Sequence, residues 1–560
     1  MIDFAWRVGG EAGYGIATAG DFLAKVCMKH GLNVFGSKEY PSLIRGGHNN
    51  FTIRFSDDKL TSQSKYCDLL AALNERTIIE ESPELKKGGI IIHDIEVKPN
   101  VKGFKLIPVP LRTIASKYGD AKVMMNMVAI GVSCGIIGFD KAVCNDLIKD
   151  LFKNKPKFIE PDTKAFNDGY ELGVKHQLMT LKKNKVKGDL LINGNDAFCI
   201  GALRAGCNFI SAYPMTPATS ILEFMCAKSK EYGVRAFQVE DEIAAINTAL
   251  GASFTGARAL TCTSGGGFAL MNEGFSLAGM IEAPLVIAMS QRPGPATGLP
   301  TRTGQGDLLF VLNAGHGEFT RLVLAPGDVN DCYEMALDAF NYADKYQTPV
   351  IVLLDKHISD SIVTVKPFSD SYIIDRGKLL TMPKSVEAGH RFKRYEFTKD
   401  GVSARPIPGI KGLTYCFAGD EHDQEGFIIE SASKAEMIID KRVRKHELIA
   451  RELKNGVKVF GEGNTTLVGW GSTKGAIIAA QSLLEKEGVK TQFIQVRVLS
   501  PFPHDRLKEL IKGQVIVIED NHDGQLASLL RGVEFKKINK YNGRPLNPEE
   551  IVSEVKRCLK

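Results

Sequence analysis

The chain has 560 residues, of which 44% are hydrophobic and 24% are charged. This composition is typical of globular proteins and excludes disordered chains, collagen-like repeats and small disulfide scaffolds. Subtracting 65 acidic from 71 basic residues leaves a net charge of +6. Because lysine and glutamate are interleaved along the chain, this small excess argues against a nucleic-acid-binding protein.

Neither a membrane segment nor a resident metal centre is predicted. The first ten residues hold no basic segment followed by an apolar stretch, which predicts no signal peptide and a cytoplasmic location. The longest apolar run, 127–139, is shorter than the ~20 residues that span a membrane. The eleven cysteines stand singly without a C-x-x-C pair, and this spacing predicts neither zinc nor an iron–sulfur cluster on the chain.

The first predicted domain, 1–185, opens with a strand, a glycine-rich turn and a helix. The strand covers 3–8, the glycines lie within 9–15, and an apolar helical pattern covers 16–30. This order is typical of the start of a doubly wound α/β domain. Further elements are predicted as strands at 50–55, 69–73 and 89–93 and as helices at 124–137 and 141–152.

A lysine-rich linker at 182–189 spans the boundary between the first domain and the second predicted domain, 186–366. The apolar runs and helical patterns of the second domain alternate, which predicts a parallel sheet. Strands are predicted at 208–210, 259–263, 285–289 and 349–354, and helices at 197–205, 240–254 and 268–281.

A connector and a third domain complete the chain. Charged residues, prolines and glycines weaken the pattern from 367 to 456, which predicts a long irregular connector. The third domain, 457–560, is an α/β unit large enough for a core of its own. The predicted fold class is therefore α/β, with three doubly wound domains. In the third domain, strands are predicted at 465–469, 491–496 and 514–519, and helices at 474–487 and 505–511.

Two glycine-rich segments of the first domain are candidates for holding a phosphate-bearing ligand. Gly13 and Gly15 form a turn in front of a helix, where backbone N–H groups bind phosphates. This turn lacks the third glycine of a dinucleotide fingerprint, and a plain strand-to-helix turn explains it equally well. In the second segment, Arg45 precedes Gly46 and Gly47, so that backbone and guanidinium can approach one ligand.

In the second domain, polar residues follow three predicted strands, where parallel sheets bind ligands. After the first strand, Tyr213 and Pro214 lead to Thr216, whose hydroxyl lies between two prolines that stiffen the loop. Thr263 ends the second strand and precedes three consecutive glycines from Gly265. The alternative for the first loop is a rigid turn that only links the strand to the next helix.

Two arginines follow the third of these strands. Arg292 follows this strand, and Thr301 and Arg302 stand nine and ten residues further along the same Pro/Gly-rich loop. Arginines at such a position suit the recognition of a carboxylate or phosphate. The alternative is that both side chains are solvated.

Three acids, Glu240, Asp241 and Glu242, stand where an alanine-rich helix is predicted to begin. Acids at this position are usually caps and partners of the helix dipole. Glu242, however, is followed at once by Ile243 and two alanines, so this carboxylate can instead be drawn into an interface.

Together these segments resemble one known family. Five segments occur in the family's order: Gly194-Asn195, Tyr213-Pro214-x-Thr216-Pro217, 240–245, 263–267 and Gly298-Leu299-Pro300-Thr301. They are similar to the alpha subunit of 2-oxoacid:ferredoxin oxidoreductases, of the 2-oxoglutarate type. The N-terminal domain resembles the gamma subunit of those enzymes, fused ahead of alpha. The middle domain resembles their pyrimidine-binding domain and the last one their transketolase C-terminal-like domain, so the resemblance covers nearly the whole chain.

The resemblance implies a thiamine diphosphate enzyme. It would convert a 2-oxoacid, coenzyme A and oxidised ferredoxin into acyl-CoA, carbon dioxide and reduced ferredoxin, with 2-oxoglutarate favoured over pyruvate as the substrate. Glu242, Thr216 and Arg292 would be catalytic, and Glu242 would hydrogen-bond the aminopyrimidine ring. The remaining matches are Tyr213, Thr216, Arg292, Thr301 and Arg302 for the substrate, Pro214, Thr263, Gly265 and Glu242 for the cofactor, and Gly13, Gly15, Arg45 and Gly46 for coenzyme A.

The same resemblance implies a partner subunit. The sequence has no Gly-Asp-Gly followed some thirty residues later by paired asparagines, the pattern that holds Mg²⁺ and diphosphate in this superfamily. A beta subunit would therefore supply Mg²⁺, the diphosphate site and a [4Fe–4S] cluster, in an (αβ)₂ assembly that reduces ferredoxin. No nucleic acid and no membrane is expected among the partners, and no metal is expected on this chain.

Two other functions stay open at this point. The beta component of a lipoamide-linked 2-oxoacid dehydrogenase also joins a pyrimidine domain to a transketolase-like domain, but it lacks the gamma-like block. The second alternative is a non-catalytic homologue that serves assembly or regulation.

Overall fold

A computed structural model describes residues 2–42, 46–181, 189–383 and 391–560. The chain forms two compact units, the first made of 1–193, 360–367 and 547–549 and the second of the remaining residues. Both are built from sheets and helices, so the predicted α/β class is confirmed. The domain boundaries given above stay a prediction.

An eight-stranded sheet forms the centre of the first unit. Its first four strands are parallel, and each later strand is antiparallel to its neighbour. Trp6, Val8, Phe51 and Ile53 on two central strands are fully buried. In spatial order the strands are Lys105–Val109, Leu85–Asp94, Cys67–Ala72, Asp3–Glu11, His48–Ser56, Asn33–Glu39, Ile362–Val365 and Leu190–Ile192.

Two helices of this unit contact each other through their backbones. A Cβ added at Gly131 would lie 2.1 Å from the carbonyl oxygen of Phe166, and one added at Gly169 would lie 2.2 Å from that of Val128. Only glycine permits such an approach. The helices of the unit are Ile16–Lys29, Glu75–Glu81, Leu111–Ala115, Ala121–Ile137, Lys141–Phe152 and Ile159–Val174.

A seven-stranded sheet in the second unit carries the candidate site. All its strands are parallel except the pair formed by Val498–Ser500 and Leu322–Leu324, so the predicted parallel arrangement is confirmed. The remaining strands, in spatial order, are Pro349–Asp355, Leu285–Gln291, Ala259–Thr263, Phe209–Ala212 and Arg235–Gln238.

Helices connect these strands. The single helix predicted over 268–281 is interrupted at Met271 and becomes two helices. The described helices are Gly194–Arg204, Thr219–Tyr232, Glu242–Phe254, Gly265–Leu270, Asn272–Met280, Leu308–Asn313, Val329–Tyr346 and Lys356–Asp360.

The second unit also contains a five-stranded sheet. Four of its strands are parallel, and Val457–Phe460 pairs antiparallel at one edge. In the part of the chain that the structure describes, no helix combines the length and apolar character needed to cross a membrane. The other strands are Gln492–Val496, Thr465–Trp470, Gln514–Glu519 and Lys536–Asn539, and the helices are Thr473–Lys486, His504–Leu510 and Pro548–Leu559.

The prediction of an irregular connector is wrong for its last third, where a 21-residue helix covers Ala432–Glu452. Its buried face includes Lys441, Arg442 and Lys445 between Ile438 and Ile449. Because charged residues occupy inward positions that are normally apolar, the segment is polar overall, and its composition does not predict a helix that packs against a core. A short strand pair, Leu379–Leu380 with Arg405–Pro406, also lies in the connector.

Candidate active site

The candidate site lies at the carboxyl ends of three neighbouring parallel strands. Phe209–Ala212, Ala259–Thr263 and Leu285–Gln291 are adjacent in the sheet. Since parallel neighbours end at the same edge, the loops that follow them start close together. These loops contain most of the predicted site residues of the second domain.

The three acids of the predicted helix start have three different environments. Asp241 is the cap, because its Oδ1 accepts a hydrogen bond from the Ala244 N–H at 2.8 Å. Glu240 is exposed. Glu242 is only 3% exposed, and its Oε1 has no hydrogen-bond partner among the described residues. Capping therefore explains Asp241 but does not explain Glu242.

The Glu242 carboxylate lies against the triple-glycine segment. A Cβ added at Gly267 would lie 2.4 Å from Oε1 of Glu242 and 2.1 Å from Oγ1 of Thr263. Thr263 is fully buried, and its hydroxyl reaches Sδ of Met215 at 3.8 Å. The structure thus brings Glu242, Thr263 and the loop after Phe209–Ala212 together around a residue that has no side chain.

Buried Asn195 holds the Thr216 loop. Its Nδ2 donates hydrogen bonds to the Pro217 carbonyl at 3.0 Å and to Oγ of Ser220 at 2.8 Å. The Thr216–Pro217 peptide bond is cis. Asn195 belongs to a recognised motif but was not predicted as a site residue, because a lone asparagine at a helix start gives no sign of its long-range partners.

Arg292 contacts the same loop from the end of Leu285–Gln291, two strands away in the sheet. Its Nη1 donates a hydrogen bond to the carbonyl oxygen of Thr216 at 2.8 Å, so two predicted catalytic residues touch. Burial lowers the pKa of Arg292, and the Asp307 carboxylate opposes that shift.

Asp307 is a site residue that the sequence did not reveal. A Cβ added at Gly265 would lie 2.5 Å from Oδ2 of Asp307, so this carboxyl group occupies the start of the triple-glycine segment. Burial raises the pKa of Asp307 to about 6, although the Arg292 charge acts in the opposite direction. Fifteen positions separate Asp307 from Arg292, and no spacing rule links two such residues.

Hydrogen bonds from the five-stranded sheet fix the loop that carries Asp307. The Gln305 N–H donates to the Asp520 carbonyl at 2.7 Å, and the Asp520 N–H donates back to Oε1 of Gln305 at 3.0 Å. Nε2 of Gln305 also donates to the Trp470 carbonyl at 2.9 Å. On the other side, the Asp307 N–H donates to Oε1 of Gln291 at 3.1 Å.

The remaining residues predicted to bind substrate or cofactor have different surroundings. Tyr213 is exposed and Pro214 is partly buried. Thr301 is buried, and the Arg302 N–H donates to the Leu299 carbonyl at 3.0 Å. The Cβ of Arg302 lies 3.0 Å from the Cβ position of Gly543, so this residue packs against the last domain.

In the first unit, the predicted strand, turn and helix are present around Gly13 and Gly15. Both glycines have positive φ angles, 93° and 70°. A Cβ at Gly15 would lie 2.1 Å from Nδ2 of Asn126, so packing alone requires glycine there. Gly46 also has a positive φ and faces open space, and Arg45 lies outside the described residues. Between 2 and 560, apart from the undescribed gaps, no group of three or more His, Cys, Asp or Glu is arranged to hold a metal ion.

Comparison with known proteins decides the family. Residues 5–172 match the model for pyruvate ferredoxin/flavodoxin oxidoreductase, and 200–441 match that for pyruvate flavodoxin/ferredoxin oxidoreductase, thiamine diphosphate-binding. Residues 464–551 match pyruvate:ferredoxin oxidoreductase core domain II. The 2-oxoacid:ferredoxin oxidoreductase subunit alpha of Saccharolobus solfataricus is 34% identical over 627 aligned positions, which cover 99% of this chain and 98% of that protein. The chain belongs to the 2-oxoacid:ferredoxin oxidoreductase alpha-subunit family.

Two further relatives agree with this family. A 2-oxoglutarate oxidoreductase subunit of Mycobacterium tuberculosis is 29% identical over 99% of this chain and 91% of its own length. The 2-oxoglutarate:ferredoxin oxidoreductase of Magnetococcus marinus, solved with 2-oxoglutarate, coenzyme A and succinyl-CoA, superposes with a TM-score of 0.92 at 32% identity over 100% of both chains. The predicted enzyme class is confirmed, and the lipoamide-linked alternative is set aside. The roles of the individual residues stay predictions.

Proposed function

We propose that this oxidoreductase subunit uses thiamine diphosphate to decarboxylate 2-oxoglutarate, with coenzyme A as the acyl acceptor and ferredoxin as the electron acceptor. The observation that carries the proposal is the buried Glu242 Oε1, which has no partner among the described residues and lies against Gly267. The ligands named for the Magnetococcus marinus structure support 2-oxoglutarate over pyruvate.

The residues around Glu242 fit the aminopyrimidine ring of the cofactor. A buried carboxylate oxygen without a partner is costly unless a ligand supplies a donor. Because Gly267 has no side chain, the Glu242 carboxylate and the Thr263 hydroxyl pack directly against its backbone, and Thr263, Gly265 and Pro214 would line the ring. When bound, thiamine diphosphate supplies the nucleophilic carbon and the electron sink for decarboxylation. Glu242 would hold the proton at the ring nitrogen.

Arg292 suits the carboxylate of a 2-oxoacid. It uses Nη1 to hold the Thr216 carbonyl, which fixes the guanidinium while its other N–H groups keep their donor capacity. A two-point contact with the substrate carboxylate would orient the reacting carbonyl. Thr216, Tyr213, Thr301 and Arg302 would complete the substrate site.

A protein partner would cover the exposed face beside the site. Tyr213, Phe237, Ile243 and Leu270 are large apolar side chains that this chain leaves exposed. They belong to elements around Glu242, and Arg235–Gln238 is an edge strand of the sheet. Exposed apolar groups at a sheet edge favour association with another protein. The partner would be a beta subunit that brings Mg²⁺, the diphosphate site and a [4Fe–4S] cluster, in an (αβ)₂ assembly.

Coenzyme A would bind at Gly13, Gly15, Arg45 and Gly46. Arg45→Ala should raise the KM for coenzyme A about tenfold, the effect of one lost charge-assisted contact. Lys25→Ala, an exposed lysine of the same unit, is the control. An unchanged KM in Arg45→Ala argues against this site.

Copurification with the product of the neighbouring gene, followed by kinetics on a panel of 2-oxoacids, tests the proposal. The complex should reduce a viologen dye with 2-oxoglutarate and coenzyme A, without lipoyl protein. Glu242→Ala should lose at least ~10²-fold in turnover. Glu240→Ala, two residues away and exposed, should not. Full turnover in Glu242→Ala would favour a non-catalytic homologue, and a preference for pyruvate would replace the proposed substrate.

A further inference from the structure

Asp307 lies close to Arg292, because the Asp307 N–H donates to Oε1 of Gln291, the residue that precedes Arg292, but it forms no ion pair with Arg292. The Arg292 charge acts on the Asp307 carboxyl group, yet no ion pair within 4.0 Å joins them in the part of the chain that is described. The Asp307 carboxyl group also makes no capping hydrogen bond to the helix that follows it. One positive and one titratable group therefore lie near each other in partly buried surroundings.

The backbone around Asp307 leaves little freedom for this carboxyl group to move away. Oε1 of Gln291 accepts a hydrogen bond from the Asp307 N–H, and the hydrogen bonds of Gln305 hold the loop two residues earlier. Both carboxyl oxygens lie within 3.0 Å of the Cβ position at Gly265. A new negative charge near a carboxyl group at this position favours its protonated form.

The charged groups on the surrounding elements are few. Asp307 lies against Gly265 of the triple-glycine segment, and the Glu242 carboxylate lies against Gly267, two residues further along this segment. From the five-stranded sheet, Asp520 contacts Gln305, and neutral Gln525 donates to the Gly306 carbonyl at 2.7 Å. Burial and the neighbouring Asp355 raise the pKa of Asp520 well above its usual value. Arg292 is thus the cation that the described residues place near Asp307.

If Arg292 binds a 2-oxoacid, as the proposed function requires, the incoming carboxylate and Asp307 compete for one cation. Linkage demands that each anion weaken the hold of the other. A proton on Asp307 removes the competition. We propose that Asp307 makes 2-oxoacid binding proton-linked: the carboxylate of the substrate binds Arg292 while Asp307 takes up one proton from solvent.

The sign and size of the effect follow from the charges. With a pKa of about 6, free Asp307 is mostly ionised at pH 7. A bound carboxylate at Arg292 shifts such a group upward by about one to three pKa units, so the bound form is protonated near neutrality. One unit corresponds to about tenfold in affinity. The KM for the 2-oxoacid should therefore rise by about tenfold from pH 6 to pH 8.

The test measures proton uptake, not turnover. The alpha–beta complex is loaded with an unreactive analogue of thiamine diphosphate, and 2-oxoglutarate is titrated into it by calorimetry at pH 7 in buffers of different ionisation enthalpy. Wild type should take up roughly one proton per 2-oxoglutarate. Asp307→Asn should take up none and keep its affinity from pH 6 to 8, whereas Asp307→Glu should restore the uptake.

Asp338 provides the matched control. It is an aspartate of Val329–Tyr346 whose pKa is also raised to about 6 by burial beside an arginine, Arg497. Asp338→Asn should take up as many protons as wild type. A second measurement uses wild type only, so it does not depend on the folding of a variant. The infrared band of protonated carboxyl groups should gain the intensity of one group when 2-oxoglutarate binds at pH 7.

Two results would overturn the inference. Binding without proton uptake in wild type, or the same uptake in Asp307→Asn, contradicts it and leaves the proposed function intact. If 2-oxoglutarate binds wild type at no pH, the substrate of the proposed function is wrong and this inference fails with it.

Discussion

Glu242 and Glu282 are both buried glutamates of the second unit, 3% and 1% exposed, yet their surroundings are opposite. Oε1 of Glu282 accepts a hydrogen bond from Nζ of Lys441 and Oε2 one from Nζ of Lys445, each at 2.5 Å. Burial alone would raise the pKa of Glu282, but these ammonium groups hold it well below its usual range. Oε1 of Glu242 has no partner among the described residues.

This difference in pairing distinguishes a carboxylate that stabilises the fold, Glu282, from one that is available to a ligand, Glu242. The lysines of Ala432–Glu452 neutralise Glu282, so that this carboxylate ties the connector helix to the end of Asn272–Met280. A buried carboxylate that its own chain leaves unpaired instead indicates a ligand. Each prediction below exchanges or removes one side of this contrast.

The largest effect, on the free energy of unfolding, is expected for Glu282, the carboxylate that is paired with two lysines. Glu282→Gln leaves two buried lysines without their anion, which should cost about 3–5 kcal/mol of unfolding free energy. Urea unfolding of the chain measures this loss. Glu487→Gln, which breaks an exposed pair with Lys556, should cost at most about 1 kcal/mol. Equal unfolding midpoints in the two variants would contradict the assignment of Glu282 to structure.

The unsatisfied carboxylate should show the reverse pattern. Glu242→Gln keeps the shape of the side chain but removes its charge, so turnover of the complex should fall at least ~10²-fold. Its urea midpoint should stay close to that of wild type because no internal partner is lost. Glu240→Gln is the exposed control, and a large loss of stability in Glu242→Gln would show that its role is structural.

A smaller effect is expected from a side chain that displaces the Glu242 carboxylate. Gly267→Ala puts a methyl group within 2.5 Å of Oε1 of Glu242 and Oγ1 of Thr263, which must displace the carboxylate, so cofactor affinity should fall about tenfold. Gly266→Ala is the matched control, because the nearest atom to its Cβ position is 3.9 Å away. Titration of thiamine diphosphate into both complexes measures the difference. Equal affinities would mean that the position of the Glu242 carboxylate against Gly267 does not matter for cofactor binding.

The sequence predicts the alternation of strands and helices in the sheet of the second unit, where apolar runs and turn residues act locally. It also selects Glu242, Thr216 and Arg292, because each follows a strand or starts a helix. It does not predict the helix Ala432–Glu452, whose inward positions are lysines paired with a glutamate about 160 residues earlier. Nor does it reveal Asp307, since only the folded loop brings that residue to Gly265.

The central claim concerns one contact, between Glu242 and the pyrimidine ring of thiamine diphosphate. The ¹⁵N chemical shift of the ring nitrogen, measured with labelled cofactor in the alpha–beta complex, reports this contact directly. We expect the same displaced shift in wild type and Glu240→Gln, and a return toward the free value in Glu242→Gln. An identical shift in all three complexes would contradict the claim.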